Sequence, residues 1–141
     1  MSLFYKFRQN TDVTTPKAYK KWFARAVHTE TVGIRELSEQ MQCNSTVKRS
    51  DILAVLSELA DAMTTELQNG HKVYLEGIGT FMLGISSRGC DHTKDFRTDR
   101  DVVNVHVVFQ PDTYKTRNGV KRHALTDGTR LVEMPHYQKP E

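Results

Sequence analysis

Residues 69–81, NGHKVYLEGIGTF, constrain the fold more than any other stretch of the chain. Asn69-Gly70 closes a long run of apolar residues at helical spacing, and a glycine there fits the left-handed position that ends a helix. Val73 and Leu75 alternate with Lys72, Tyr74 and Glu76, the pattern of a strand with one face on a core. Gly77 and Gly79 let the backbone reverse without a Cβ penalty, and residues 80–83 begin a return strand. A long helix running into a hairpin predicts an α+β fold, an antiparallel sheet with helices on one side.

Before this stretch, residues 3–7 read as a short aromatic strand and residues 10–16 as a loop. Residues 17–28 are ambiguous. Their propensities favour a helix starting near Pro16, whereas Phe23, Arg25 and Val27 alternate with Trp22, Ala24 and Ala26 as in a strand. Ile34, Leu37 and Met41 fall at helical spacing over 34–42, with Gly33 as a possible N-cap and Glu36 placed to reach back to it. Residues 43–47 are a polar turn. Residues 49–69 form the longest helix, with Ile52, Leu53, Val55, Leu56, Leu59, Ala60, Met63 and Leu67 along a wide apolar stripe. Two such helices carry more apolar surface than one hairpin covers, so a second subunit in an isologous dimer is the expected cover.

After the hairpin, residues 88–101 are polar and charged with no apolar period, and are expected to project into solvent as an arm or loop. Residues 102–109 return as a strand with Val103, Val105, Val107 and Phe109 on one face, ended by Pro111. Residues 116–141 read as a polar tail with a weak hairpin near Asp127-Gly128.

A chain of 141 residues points to one domain plus that tail. It is long enough to fold without a disulfide or metal. No apolar run approaches the ~20 residues of a membrane span. The opening residues lack a signal-like apolar core, so a cytoplasmic location is expected. Cys43 and Cys90 are too few for a disulfide framework and agree with a reducing compartment. The net charge of +3 says little, but its distribution says more. From Met1 to Arg25, Lys6, Arg8, Lys17, Lys20, Lys21 and Arg25 stand against Asp12 alone. From Thr113 to His123, Lys115, Arg117, Lys121 and Arg122 have no acidic companion. Either cluster taken alone is more often solvated surface, yet clustered cations beside a neutral middle are also the footprint of nucleic-acid binding.

Catalytic chemistry finds no support. Gly77-Ile78-Gly79 lacks the third glycine and following helix of a dinucleotide loop. No phosphate-binding Gly-Lys-Ser/Thr motif occurs, and the serines have no identifiable histidine and acid partners. Cys90-Asp91-His92 matches no paired zinc spacing. The expectation is a non-enzymatic protein with no cofactor, no metal, no small-molecule substrate and no membrane partner.

Helix, turn, long helix, glycine-turn hairpin, charged arm and return strand, in that order and with LEGIGTF after the long helix, resemble the HU/IHF family of histone-like DNA-binding proteins. The match spans Gly33 to about Lys115, and VKRSDILAVLSELADAMTTELQNGHKVYLEGIGTF is its specific part. The preceding LFYKF and TPKAYKKWFARAVHTETVGIREL are similar to an N-terminally extended branch common in Bacteroides-like bacteria, in which residues 1–32 add strands. That resemblance tips 22–28 toward strand. It also implies an HU-like domain over 1–115, an intertwined homodimer on a helical base, and paired β-arms that wrap the minor groove of double-stranded DNA. In a cytoplasmic, nucleoid-associated protein these would serve DNA condensation.

By the same resemblance Leu37, Leu56, Leu59, Met63 and Phe81 fall where relatives pack core and dimer interface. Arg88 lies at the base of the arm, Lys94, Arg97 and Arg100 lie within or near it, and Lys115 sits where relatives contact phosphates from the body. With Lys72 and Arg117 these make the expected DNA-contact set. The arm departs from the family pattern, because residues 88–101 contain no proline to wedge between base steps and carry Asp91, Asp95, Asp99 and Asp101. Phe96 is the one bulky apolar residue there that could wedge, although such a residue more often packs on its own protein. Local pairing of Arg88, Lys94, Arg97 or Arg100 with those aspartates is as plausible for any one of them as a phosphate contact.

Overall fold

A computed structural model describes residues 2–138. The chain divides into two compact units. Within the described residues, one comprises 2–33 with 128–138, and the other comprises 34–127.

In the first unit, β1 (Ser2–Gln9) is the centre of a three-stranded sheet. β2 (Trp22–Val27) pairs with it antiparallel, from Phe4 opposite Val27 to Gln9 opposite Trp22. The helix propensity of 17–28 therefore yields to tertiary pairing, and the alternation of Phe23, Arg25 and Val27 is the signal that holds. Residues between the strands form a turn closed by the Asn10 amide on the Lys21 carbonyl at 2.9 Å and the Lys20 amide on the Asn10 carbonyl at 2.8 Å. The third strand, β8 (Arg130–Glu133), runs parallel to β1, with Leu3 beside Leu131 and Tyr5 beside Glu133.

Residues 116–138 are thus not a featureless polar tail. A parallel partner must arrive from far along the chain, and local pattern cannot announce it. The hairpin expected near Asp127-Gly128 is displaced as well. It forms between β6 (Thr113–Lys115) and β7 (Lys121–His123), around Gly119 at φ 76°.

The second unit opens with α1 (Ile34–Cys43) and α2 (Arg49–Gln68), which pack on each other. Asp51 in the first turn of α2 favours the positive end of the helix. Gly70 at φ 83° ends α2 as expected, with its amide on the Leu67 carbonyl and the His71 amide reaching back to the Glu66 carbonyl, both 3.0 Å. β3 (Val73–Leu75), β4 (Gly79–Ser87) and β5 (Val102–Pro111) form an antiparallel sheet in that order.

Close approach fixes the glycine at position 79. A Cβ there would stand 2.3 Å from the Gln110 carbonyl oxygen and 2.7 Å from the Phe109 ring. The Asp112 carboxylate, just beyond the end of β5, holds the same turn. It accepts the Gly77 amide at 2.8 Å and the Tyr74 hydroxyl at 3.1 Å, and the Thr113 amide at 2.9 Å. Those bonds, the Gly77 amide first, hold its carboxyl below the usual carboxylate range.

Little of this chain is buried. Among the described apolar side chains only Ile52 is buried. Leu37, Met41, Val55 and Leu59 on α1 and α2 all lie exposed, Val55 at 65%. An open apolar cleft of about 530 Å³ between the helices is lined by Leu37, Met41, Val47, Ile52 and Val55. No helix among the described residues is long and apolar enough to cross a membrane.

Candidate nucleic-acid interface

Sheet pairing builds the arm. β4 and β5 stay paired from Gly79 opposite Pro111 to Ser87 opposite Val102, with a register shift between Ser86 and Ser87. Nine residues of β4 at about 3.3 Å each give a ribbon of roughly 30 Å. One of its faces aligns Phe81 with Phe109, Leu83 with Val107 and Ile85 with Val105. The Phe81 and Phe109 rings meet at 4.8 Å, so Phe81 packs within its own hairpin. Farther out the face is open, with Ile85 at 67% exposure.

The end of the ribbon is a closed and ordered cap rather than a simple continuation of the strands. The Arg88 amide bonds the Asp101 carbonyl at 2.8 Å, a 3-10 turn occupies Thr93–Asp95, and a single helical turn, α3, spans Thr98–Asp101. Asp101 is its keystone and is only 6% exposed. Its carboxylate accepts Nε and Nη2 of Arg100 and the Arg97 amide, each at 2.8 Å. Nη2 of Arg100 also reaches the Asp95 carbonyl at 2.8 Å. A buried carboxylate needs such partners, and two charge-assisted bonds plus an amide satisfy it. Hydrogen bonding from Arg100, then from the Arg97 amide, holds the Asp101 carboxyl at about 2, and the nearby Arg88 charge adds to this.

These contacts sort the expected DNA-contact residues. Arg100 is committed to the cap. Arg88, Lys94 and Arg97 are exposed and their side chains make no ion pair among the described residues, so they remain available to an outside anion. Lys72 is exposed just ahead of β3. Lys115 lies on β6 directly opposite Lys121 of β7, and Arg117 is exposed in the turn between them. The second basic cluster does acquire an acid, because Arg122 pairs with Asp127 at 2.6 Å while the Tyr114 hydroxyl donates to the same carboxylate. Phe96 stands partly exposed on the cap. Among the described residues no three His, Cys, Asp or Glu side chains converge on a metal-sized site.

The Asp101 cap carries a pH signature. Its carboxyl is lowered on folding from an ordinary value near ~4, so the stability it lends is complete above that value and is lost as the pH falls through about 2. The NMR shifts of the Arg97 amide and Arg100 Nε–H should therefore stay constant down to about pH 4 and then titrate together with a midpoint near 2. A midpoint near ~4 would mean that the guanidinium does not hold this carboxylate.

Over residues 1–126 the sequence matches the profile of HU-HIG, described as an HU domain fused to a wHTH, Ig or glycine-rich motif. The chain belongs to the HU-HIG family. Its mixed α+β architecture is HU-like. The fold is shared with a crystal structure from Bacteroides vulgatus described as a "Putative bacterial DNA binding protein", at a TM-score of 0.62 and 14% identity over 94% of this chain. The chain spans about half of that protein's length, 48%. Comparison with curated proteins gives no match. The HU-HIG match begins at residue 1, so it takes in the N-terminal strands as well as the helix–hairpin part.

Proposed function

We propose that this HU-HIG protein is a non-enzymatic, homodimeric DNA-binding protein that grips duplex DNA with little sequence preference, within the cytoplasm and in association with the nucleoid. The observation that carries the reading is the ribbon of β4 and β5, ended by a cap on which Arg88, Lys94 and Arg97 are exposed and unpaired. In a dimer two such ribbons would flank one duplex. Lys72, Lys115 and Arg117 would add phosphate contacts from the body. Leu37, Leu56, Leu59 and Met63 would meet their counterparts across a shared helical base, while Phe81 supports the hairpin.

Cations displace the counterions condensed on DNA, which makes such binding steeply salt-dependent. The arm has no proline, so the reading involves phosphate and minor-groove contacts, with Arg suited to the groove by its flat guanidinium. A second reading draws on the charge of the cap. Arg88, Lys94, Arg97 and Arg100 are balanced by Asp91, Asp95, Asp99 and Asp101, which fits a dimeric interaction scaffold with little DNA affinity. A duplex titration across salt concentrations separates the two. DNA binding requires a shift at low salt that falls steeply as salt rises, whereas the scaffold reading requires no shift even at low salt.

A further inference from the structure

The first unit holds a second basic surface that the arm does not explain. Strand pairing places Phe4, Lys6 and Arg8 of β1 on one face with Val27, Arg25 and Phe23 of β2, and Arg130 and Val132 of β8 join them. Lys6 stands directly opposite Arg25, and Arg8 opposite Phe23. Like charges facing each other across an antiparallel pair destabilise a sheet. Here no acidic residue of β1, β2 or β8 shares that face, since Glu133 pairs beside Tyr5 on the other. The three cations Lys6, Arg8 and Arg25 are exposed and make no ion pair among the described residues.

Two further features point to the ligand. Phe23, which shares the face with Arg8 and Arg25, is 41% exposed rather than packed away. Beside it, Arg8, Phe23 and Arg25 line a concavity of about 590 Å³ at the end of the face, together with Gln9, Asn10 and Asp12. Asp12 is the acid at its rim, and its Oδ1 is occupied by the Thr14 amide at 2.8 Å and hydroxyl at 2.6 Å. Cations tracking along a sheet beside an exposed aromatic ring are the means by which sheet proteins hold an unpaired strand, with phosphates on the cations and a base stacked on the ring. A duplex hides its bases and would leave Phe23 unused.

We propose that this face of the β1–β2 sheet binds single-stranded DNA, with Lys6, Arg8 and Arg25 on the phosphates and an unpaired base on Phe23. The inference is independent of the arm and of the dimer. It places a strand-selective surface on the N-terminal unit of a protein whose other unit carries the duplex-binding candidates.

The test uses the full chain and a labelled 12-nucleotide oligothymidine, with a duplex of the same length as the second probe, in fluorescence anisotropy across salt concentrations. The triple variant Lys6→Gln, Arg8→Gln, Arg25→Gln should lose most single-strand affinity at low salt. Its log–log salt slope should shrink by about 2, at roughly 0.7 per phosphate contact. Phe23→Ala should weaken single-strand binding on the order of 10-fold with the slope unchanged, and should spare duplex binding. Replacing Arg88, Lys94 and Arg97 by Gln should leave the single-strand affinity in place. Because Lys6 and Arg25 repel each other, the triple variant should melt at the same temperature as the parent or higher. Unchanged single-strand affinity in the triple variant would overturn the proposal. So would a Phe23→Ala loss of equal size with duplex, or a lowered melting temperature showing that these cations serve the fold.

Discussion

Replacing Arg88, Lys94 and Arg97 together by Gln should reduce the affinity for duplex DNA by two orders of magnitude or more at low salt. It should also flatten the salt dependence by about 0.9 for each phosphate contact removed. Arg100 does not belong in this set, although its place in the sequence is as favourable as theirs. It donates two bonds to Asp101 and one to the Asp95 carbonyl, so its removal would open the cap and mix a folding defect with a binding defect. Glutamine is preferred to glutamate for the same reason, because Arg88 already acts through its charge on the buried Asp101. The companion variant Asp91→Asn, Asp95→Asn, Asp99→Asn removes the opposing charges and should move affinity the other way. A triple Gln variant that binds duplex as the parent does, with an unaltered slope, would remove the arm from the interface and favour the scaffold reading.

What the sequence displays and what it conceals divide along the range of the interactions. Helix α2 and its glycine stop at Gly70 depend on neighbours within a few residues, and the apolar period and the glycine declare them. The turn at Gly77 and Gly79 is declared by its glycines, although the crowding that demands glycine at 79 comes from Gln110 and Phe109. Residues 22–28 carry two local signals, and the pairing with β1 decides between them. Strand β8 is invisible locally because its partner is 128 positions away, as with Arg130 beside Ser2. The same holds for the site. Exposed cations in residues 88–101 are legible as candidates, but which of them is free depends on Asp101 folding under its own arginine.

Asp112, which pins the glycine turn from just beyond β5, gives no sequence signal at all. The N-terminal cations are visible as a cluster, yet only the register shows that Lys6, Arg8 and Arg25 share one face with Phe23. Val55 belongs to the apolar stripe by helical spacing. Its 65% exposure is what makes it a prime candidate for an interface.

That exposure leads to the prediction on assembly. At micromolar concentration the protein should sediment as a dimer, and its melting temperature should fall on dilution, because a partner that binds only the folded state adds stability that grows with the logarithm of its concentration. A chain with Ile52 as its only buried apolar residue among those described has no adequate core of its own, so the monomer should be marginal. Val55→Asp places a carboxylate in the cleft lined by Leu37, Met41 and Ile52. Burying a side chain of this size is worth about 1.5–3 kcal/mol. An isologous interface uses each residue twice. The dissociation constant should thus rise by roughly 10²–10⁴.

Exposure alone does not predict this outcome, and Val13 supplies the control. It is 71% exposed in the turn between β1 and β2 of the first unit. Isolated exposed apolar residues are ordinary, so Val13→Asp should leave sedimentation and melting unchanged. A parent protein that remains monomeric and melts cooperatively at micromolar concentration would mean that the open faces of α1 and α2 are covered by something other than a second copy. The pairing of two ribbons around one duplex would fall with it, whereas single-strand binding on the β1–β2 face would still stand to be tested.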